Sequence, residues 1–322
     1  MLRPQHFPQN EATTALAAGI AAAHTAYGPP RSKQSHPRCV LFIVQQPERN
    51  IFDQRHIEYA LQAEFIPTFR LPFSEVLLHT SIPSDSSRPL IYTPPHSPST
   101  VYEVSVLYFR STYTPTDYPT EEAWEARLHL ERSAAIKCPS ILTHLAGSKK
   151  VQQVLATPSS PDLGRFLSTT TADAVRKTFA AIYPLDSSEA GQHAKKLALS
   201  SESAHGFVLK PQREGGGNNI YRDAIPEFLR KLGSEDKWTG HILMELIEPP
   251  SQRNSIIREG IVKTGEVIAE LGVYGTCLWK SGGEILRNEQ AGYLLRTKGR
   301  ESEEGGVAAG FGAVDSVALV NV

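Results

Sequence analysis

Cysteine is scarce: Cys39, Cys138 and Cys277 are the only three in 322 residues. They lie far apart, with no CxxC pair and no Cys/His cluster, so the spacing favours neither a disulfide framework nor a zinc site. A reducing, cytoplasmic setting is expected. Charge of one sign is also missing. The net charge is -1, which excludes the basic footprint of a nucleic-acid or anionic-membrane surface. No window approaches the ~20 apolar residues of a membrane span. The alanine-rich stretch TALAAGIAAAHTAY (14–27) has no basic leader, follows Glu11 and contains His24, so it reads as a packed helix rather than a secretory signal. Familiar catalytic signatures are lacking too. There is no GxxxxGK[ST], no GxSxG and no HExxH. Ser234-xx-Lys237 and Lys263-Thr-Gly265 stand too close together, without an intervening SDN, to form a penicillin-binding set. The eleven histidines show no metal-ligand spacing, and the GxG at 310–312 lacks a strand–GxGxxG–helix context.

What is present suits a globular protein: 40% hydrophobic and 21% charged residues, in a chain long enough for two domains or one large domain with an insertion. CVLFIVQ (39–45) and VSVLYF (104–109) are short apolar runs typical of buried parallel strands. Each leads into a polar loop and then a helical pattern. After the first, Ile57, Ala60, Leu61 and Phe65 fall at helical spacing; after the second, Trp124, Leu128 and Leu130 do so. Strand, loop and helix repeated predict an α/β unit whose functional residues sit just past the strand ends. SIPSDSSRPLIYTPPHSPST (81–100) reads as a mobile Pro/Ser-rich surface loop. From residue 206 the pattern is strand (GFVLK), glycine loop, helix (DAIPEFLRKLG), strand (HILMELI). Asp223 is the expected N-cap, Ile225, Phe228, Leu229 and Leu232 the apolar face, and Gly233 the stop. A further strand is expected at VIAELGVYG.

The densest chemistry lies in KPQREGGGNN (210–219). Glycine lets backbone N–H groups approach a ligand closely, and a lysine at a strand end suits phosphate oxygens. Glu214 and Asn219 are oxygen ligands of the kind Mg²⁺ accepts beside phosphate and water. A Gly-rich hairpin with solvated charges fits this stretch, taken alone, about equally well. Met244, Glu245, Leu246 and Ile247 close an apolar strand that could pack on a purine, or be an ordinary core strand. Glu270, Arg296 and Lys298 stand at the ends of apolar segments, where surface ion pairs are the usual explanation.

Taken together, QQPERNIFDQR (45–55), YFRSTY (108–113), WEARLHLERS (124–133), KCPSILTHLAGSKKVQQ (137–153), FVLKPQREGGGNNIY (207–221), ILMELIEP (242–249), ELGVYG (270–275), GYLLRTK (292–298) and EGGVAAGFGAVDS (304–316) resemble the eukaryotic-type glutathione synthetases, a branch of the ATP-grasp ligases. The resemblance covers most of the chain. It implies an α/β architecture: an incomplete ATP-grasp fold with a smaller parallel-sheet substrate-binding domain. The expected divisions are an N-terminal helical remnant (1–36), a substrate domain (37–147) and an ATP-grasp domain with a Gly-rich lid (148–322). In the family a further N-terminal region precedes the point where this chain begins, so a truncated chain is expected.

The resemblance also implies roles. Lys149 and Lys210 would contact nucleotide phosphates, and Pro211, Gln212, Arg213, Glu214, Gly215, Gly216, Gly217, Asn218, Asn219 and Tyr221 would form the lid over them. Met244, Glu245, Leu246 and Ile247 would line the adenine side, with Glu270, Lys298 and Glu304 also on ATP. Glu214 would hold Mg²⁺. Glu48, Arg49, Asn50, Gln54, the loop Arg110, Ser111, Thr112 and Tyr113, Arg296, Val307 and Ala308 would bind substrate. Lys210 and Arg296 would contribute most to catalysis. The implied reaction joins γ-glutamylcysteine to glycine with ATP, through an acyl phosphate, in a homodimer. Two alternatives stand beside it: a non-catalytic nucleotide-binding paralogue or partner subunit, and a ligase using another amine such as β-alanine.

Overall fold

The computed structural model describes residues 6–158, 160–213, 217–302, 307 and 312–319. Its contacts divide the chain into two units. One combines Met1–Ser140 with Pro250–Val322; the other is Ile141–Pro249. The described residues of 6–36 and 250–319 fall in the same unit as 37–140.

The first unit is built on β1 (Arg38–Val44), whose sequence RCVLFIV is apolar on both sides of the pleat. Alternate residues feed two cores, as the two-residue period of a strand requires. Cys39, Leu41 and Ile43 join Leu71, Leu90, Leu107 and Leu130 on one face. Val40, Phe42 and Val44 join Ala17, Ile20, Ile57 and Leu61 on the other. Each such side chain removed from water contributes about 1.5–3 kcal/mol, which makes β1 the backbone of the unit. Its parallel neighbours are β2 (Thr68–Pro72) and β5 (Tyr102–Phe109). On the far edge of β5 lie β6 (Ile136–Cys138), parallel, and β4 (Leu90–Tyr92), antiparallel, with β3 (Thr80–Ser81) beyond it.

The sheet is therefore mixed rather than wholly parallel. The 81–100 segment supplies β4 because its apolar triplet LIY outweighs the surrounding Pro and Ser: Leu90 and Tyr92 are buried, and Tyr92 packs on Phe69. The reading of that segment as a mobile loop is corrected accordingly.

Helices α1 (Ala12–Tyr27) and α2 (Ile51–Ala63) cover the second core. The short α3 (Val76–His79) and the longer α4 (Glu121–Arg132) lie toward the first, with Ala126 and Leu130 buried. Phe65 does not extend the apolar face of α2: the helix ends at Ala63, and Phe65 takes φ +58 and is 94% exposed. Trp124 and Leu128 of α4 are likewise largely exposed, leaving Leu130 as the buried member of that expected face.

The unit is completed by an antiparallel sheet, in order β11 (Gln252–Arg258), β12 (Ile261–Trp279), β13 (Ile285–Gly299) and β14 (Ala313–Asp315). The strand expected at VIAELGVYG is the middle of the long β12. Gly19 of α1 serves a close approach to this sheet, since a Cβ there would fall 2.5 Å from Thr276 Cγ2. Asn10 closes the same contact, its side chain pairing with both the N–H and the carbonyl of Tyr293.

The second unit holds a four-stranded sheet in order β7 (Ile182–Tyr183), β10 (His241–Glu245), β8 (Phe207–Pro211) and β9 (Ile220–Tyr221). Around it run α5 (Ile141–Ala146), α6 (Lys149–Ala156), α7 (Thr169–Arg176), α8 (Glu189–Leu199), α9 (Ser201–Ala204) and α10 (Ala224–Leu232). Ile225 and Leu229 of α10 are buried, with Phe228 and Leu232 packed beside them, and Trp238 donates to the Leu229 carbonyl at 3.0 Å. Asp223 occupies the N-cap position but makes no side-chain cap. Gly233 stops the helix at φ +81, a conformation open to glycine without steric cost.

Candidate active site

Parallel neighbours β1 and β5 end side by side, with Ile43 registered against Phe109. The loops leaving their carboxyl ends therefore start together, where an open α/β sheet places its ligand residues. The first loop and the start of α2 carry Glu48, Asn50 and Gln54; the second carries Arg110, Ser111, Thr112 and Tyr113.

The second loop is fastened tightly. The Arg110 N–H donates to the Ile43 carbonyl at 2.7 Å, and Ser111 Oγ donates to the same oxygen at 3.2 Å. Thr112 takes φ +67, rare for a β-branched residue, yet it is only 1% exposed. Buried Arg127, on α4, holds it there. Its Nη1 reaches Thr112 Oγ1 at 3.3 Å and the Tyr118 hydroxyl at 3.2 Å, while Nε and Nη2 donate to Glu131. The same guanidinium lies 4.2 Å from the centre of the Phe109 ring. Tyr118 in turn donates to the Thr112 carbonyl and stacks on Trp124 at 4.1 Å.

Two atoms in these loops are buried without a hydrogen-bond partner: Glu48 Oε2 and Arg110 Nε. Unsatisfied buried groups cost about 1–3 kcal/mol each, more when charged, so the pair marks a place prepared for a ligand. Burial alone would raise the Glu48 pKa. The Asn50 amide, the Gln54 and Gln45 side chains and the charge of Arg70 outweigh it and hold the carboxyl below its ordinary range. Burial likewise opposes the charge on Arg110, but Tyr108, Tyr113 and Glu48 outweigh it and raise that pKa. An ionised carboxylate and a guanidinium in range of each other suit the two ends of an α-amino acid group.

Arg49 is exposed, whereas Gln54 is 1% exposed and its Oε1 accepts from Arg70 at 2.6 Å. Arg296 and Glu270 are directly opposed across β13 and β12 and form an ion pair. Lys298 lies two residues further along β13, opposite Ile268. Val307 helps line an open cleft of about 670 Å³ with Ile256, Lys263, Glu266 and Glu301.

The remaining expected residues lie in the second unit. Lys149 opens α6, and its Nζ donates to the Arg213 carbonyl at 2.8 Å; the next amide, Lys150 N–H, donates to Gln212 Oε1 at 3.0 Å. The start of the glycine loop is thus tied to α6. Lys210, on β8, is registered against Ile242 of β10. Past the loop, Gly217 takes φ +67 and Asn219 Nδ2 donates to the Tyr221 hydroxyl at 3.1 Å. Met244 and Glu245 end β10; beyond them the Leu246 N–H donates to the Gly206 carbonyl, and Ile247 is 66% exposed. Glu214, Gly215, Gly216, Glu304 and Ala308 lie outside the described residues. Those expected to contact nucleotide are therefore divided between the units, Glu270 and Lys298 in one and the rest of the described ones in the other.

Arg70, Glu58, Tyr118 and Arg127 escaped the sequence reading. Their only trace is local: a charge inside a short apolar strand for Arg70, and an i,i+4 Arg/Glu pair for Arg127.

A family model described as eukaryotic glutathione synthase, ATP binding domain, matches residues 1–319. The chain is 44% identical over 282 residues to "Glutathione synthetase large chain" of Schizosaccharomyces pombe, covering 87% of this chain and 55% of that one. It is 42% identical over 322 residues to a chloroplastic glutathione synthetase of Arabidopsis thaliana (98% and 55% covered) and 41% identical over 308 residues to the Homo sapiens glutathione synthetase (95% and 61%). It thus spans little more than half the length of these relatives. Among solved structures, a glutathione synthetase-like effector of Globodera pallida shares the fold at a TM-score of 0.70 and 19% identity, over 97% of this chain and 63% of that one. With the family model matched across nearly its whole length, the chain belongs to the eukaryotic glutathione synthase family.

Proposed function

We propose that the chain serves an ATP-dependent ligase of the ATP-grasp type that joins γ-glutamylcysteine to glycine, yielding glutathione, ADP and phosphate. The observation that carries this reading is the pair of unsatisfied buried atoms, Glu48 Oε2 and Arg110 Nε, at neighbouring strand ends. Glu48 would take the ammonium group of the dipeptide and Arg110 a carboxylate, with Tyr113 at the rim. Arg296 would neutralise charge at the reacting carboxylate, and Lys149 and Lys210 would do so at the nucleotide phosphates. In the first step a carboxylate oxygen forms a bond to the γ-phosphorus and ADP departs. In the second, the glycine nitrogen bonds the acyl carbon, phosphate leaves with the C–O electron pair, and the amine loses its proton. No enzyme nucleophile is needed; positioning and charge neutralisation suffice.

The family implies Mg²⁺. Among the described residues no group of three or more His, Cys, Asp or Glu could hold a metal, and Glu214 lies outside them. No helix among the described residues is long and apolar enough to cross a membrane. A cytoplasmic homodimer completes the proposal.

The test is ADP release and glutathione formation by the purified protein with Mg-ATP, dipeptide and glycine. Dipeptide-dependent turnover with glycine supports the reading. Turnover with β-alanine alone would move the amine specificity, and nucleotide binding without any turnover would favour the partner-subunit role.

A further inference from the structure

Among the described residues, the Arg110 side chain has one hydrogen-bond partner: its Nη1 donates to the Tyr108 hydroxyl at 3.4 Å. The same guanidinium lies 5.7 Å from the centre of the Tyr108 ring. The two residues stand two apart at the end of β5, so both leave the sheet on one face. The backbone of Arg110 is fixed there, its N–H bonded to the Ile43 carbonyl at 2.7 Å. The ring beneath the guanidinium is fixed as well. Tyr108 is registered between Phe42 of β1 and Cys138 of β6, and it meets the buried Phe42 ring edge to face, with centroids 4.9 Å apart at 90°.

Which nitrogen is engaged decides what the arginine can offer. A guanidinium binds a carboxylate with two parallel N–H bonds along either of two edges: end-on through Nη1 and Nη2, or side-on through Nε and Nη2. Nη1 belongs to the end-on edge alone, and Tyr108 engages it. Nε belongs to the side-on edge alone, and it is buried without a partner. We infer that Tyr108 is a positioning residue: it holds the Arg110 guanidinium so that the Nε/Nη2 edge faces the ligand and takes one carboxylate side-on. Phenylalanine in its place keeps the packing on Phe42 but leaves the guanidinium free to turn on its long stem. An arginine so released must be re-ordered each time ligand binds. The carboxylate part of the inference rests on the proposed ligand role of Arg110; the Tyr108–Arg110 lock does not.

The experiment compares Tyr108→Phe, Arg110→Met and the double variant with the unsubstituted chain. In the ligand-free protein, ¹⁵N relaxation of the Arg110 Nε–H, assigned by its loss in Arg110→Met, reads how firmly the guanidinium is held. Binding of γ-glutamylcysteine is measured by calorimetry, at millimolar ligand where affinity is weak. In Tyr108→Phe the order parameter of the Nε–H is expected to fall below about 0.6. The dipeptide dissociation constant is expected to rise about three- to tenfold, the scale of ordering one long side chain. In the Arg110→Met background the same substitution should change nothing further, because it acts through the arginine. An unchanged order parameter in Tyr108→Phe would overturn the lock whether or not dipeptide binds. An affinity loss of the same size in the Arg110→Met background would overturn it too, because the hydroxyl would then act without the arginine. A freed guanidinium in a protein that binds no dipeptide would uphold the lock and overturn the assigned ligand.

Discussion

Thr112→Gly separates strain from stability in the loop that follows β5. Thr112 occupies the left-handed region at φ +67, which costs a side-chain-bearing residue about 1–2 kcal/mol. Glycine would recover that amount. Against it stand the lost Arg127–Thr112 hydrogen bond, about 1 kcal/mol, and the extra freedom of an unfolded glycine, about 0.5–1 kcal/mol. The buried methyl adds about 1 kcal/mol. The balance is a net loss of about 1 kcal/mol, a fall in Tm of roughly 2–4 °C. Binding should suffer more. Arg110 and Tyr113 flank the substituted residue, and re-ordering one released backbone position on ligand binding costs about 1–2 kcal/mol, or about tenfold in affinity. Calorimetry with γ-glutamylcysteine and a thermal melt read the two quantities, with Thr112→Ser as the control that keeps the hydroxyl. Wild-type affinity in Thr112→Gly would refute the view that Arg127 and Thr112 preorganise the loop, as would an affinity loss of the same size in Thr112→Ser.

Three further substitutions probe the frame. Glu103 is fully buried and accepts from the Tyr27 hydroxyl and from the Arg31 and Ser32 amides, each at 2.7 Å. Burial would raise its pKa, but these donors outweigh it and lower it, so its stabilisation is present above the ordinary glutamate value of about 4.3 and fades as pH falls below it. Glu103→Gln should cost about 2–4 kcal/mol near neutral pH and flatten the acid limb of the stability curve; an unchanged limb contradicts this. Gly19→Ala gains about 1 kcal/mol of helix propensity but sets its Cβ 2.8 Å from Thr276 Cβ, so a net loss of about 1–2 kcal/mol is expected in denaturant titration, partly restored by Thr276→Ala. Lys149→Ala removes the tie to the Arg213 carbonyl on an exposed surface, so nucleotide affinity, read by equilibrium dialysis, should fall several-fold while the melting temperature moves by no more than about 2 °C.

Much of the architecture was legible where a single segment settles its own structure. CVLFIV, apolar throughout, had to be a strand buried on both faces, and AIPEFLRKL followed by glycine had to be an amphipathic helix with a defined end. Partners distant in sequence were not legible. LIY became β4 only because β5 lay open beside it, and the ends of β12 extended well past its recognisable centre because β11 and β13 pair with them. The site divides the same way. Strand-end logic located the loops after Val44 and Phe109, and family resemblance picked out Glu48 and Arg110 within them. The left-handed Thr112, the Arg127 clamp and the Arg70–Gln54 hydrogen bond depend on contacts between separate elements, which no spacing rule records.

The central claim is that the carboxyl ends of β1 and β5 hold the dipeptide of a ligase reaction. It is tested most directly by γ-glutamylcysteine-dependent ADP release in the purified protein and in Arg110→Met. Release that requires dipeptide and Mg-ATP, makes glutathione with glycine, and drops at least about a hundredfold in kcat/KM for dipeptide in a folded Arg110→Met variant is the predicted result. Dipeptide-dependent release that Arg110→Met leaves unchanged would contradict it.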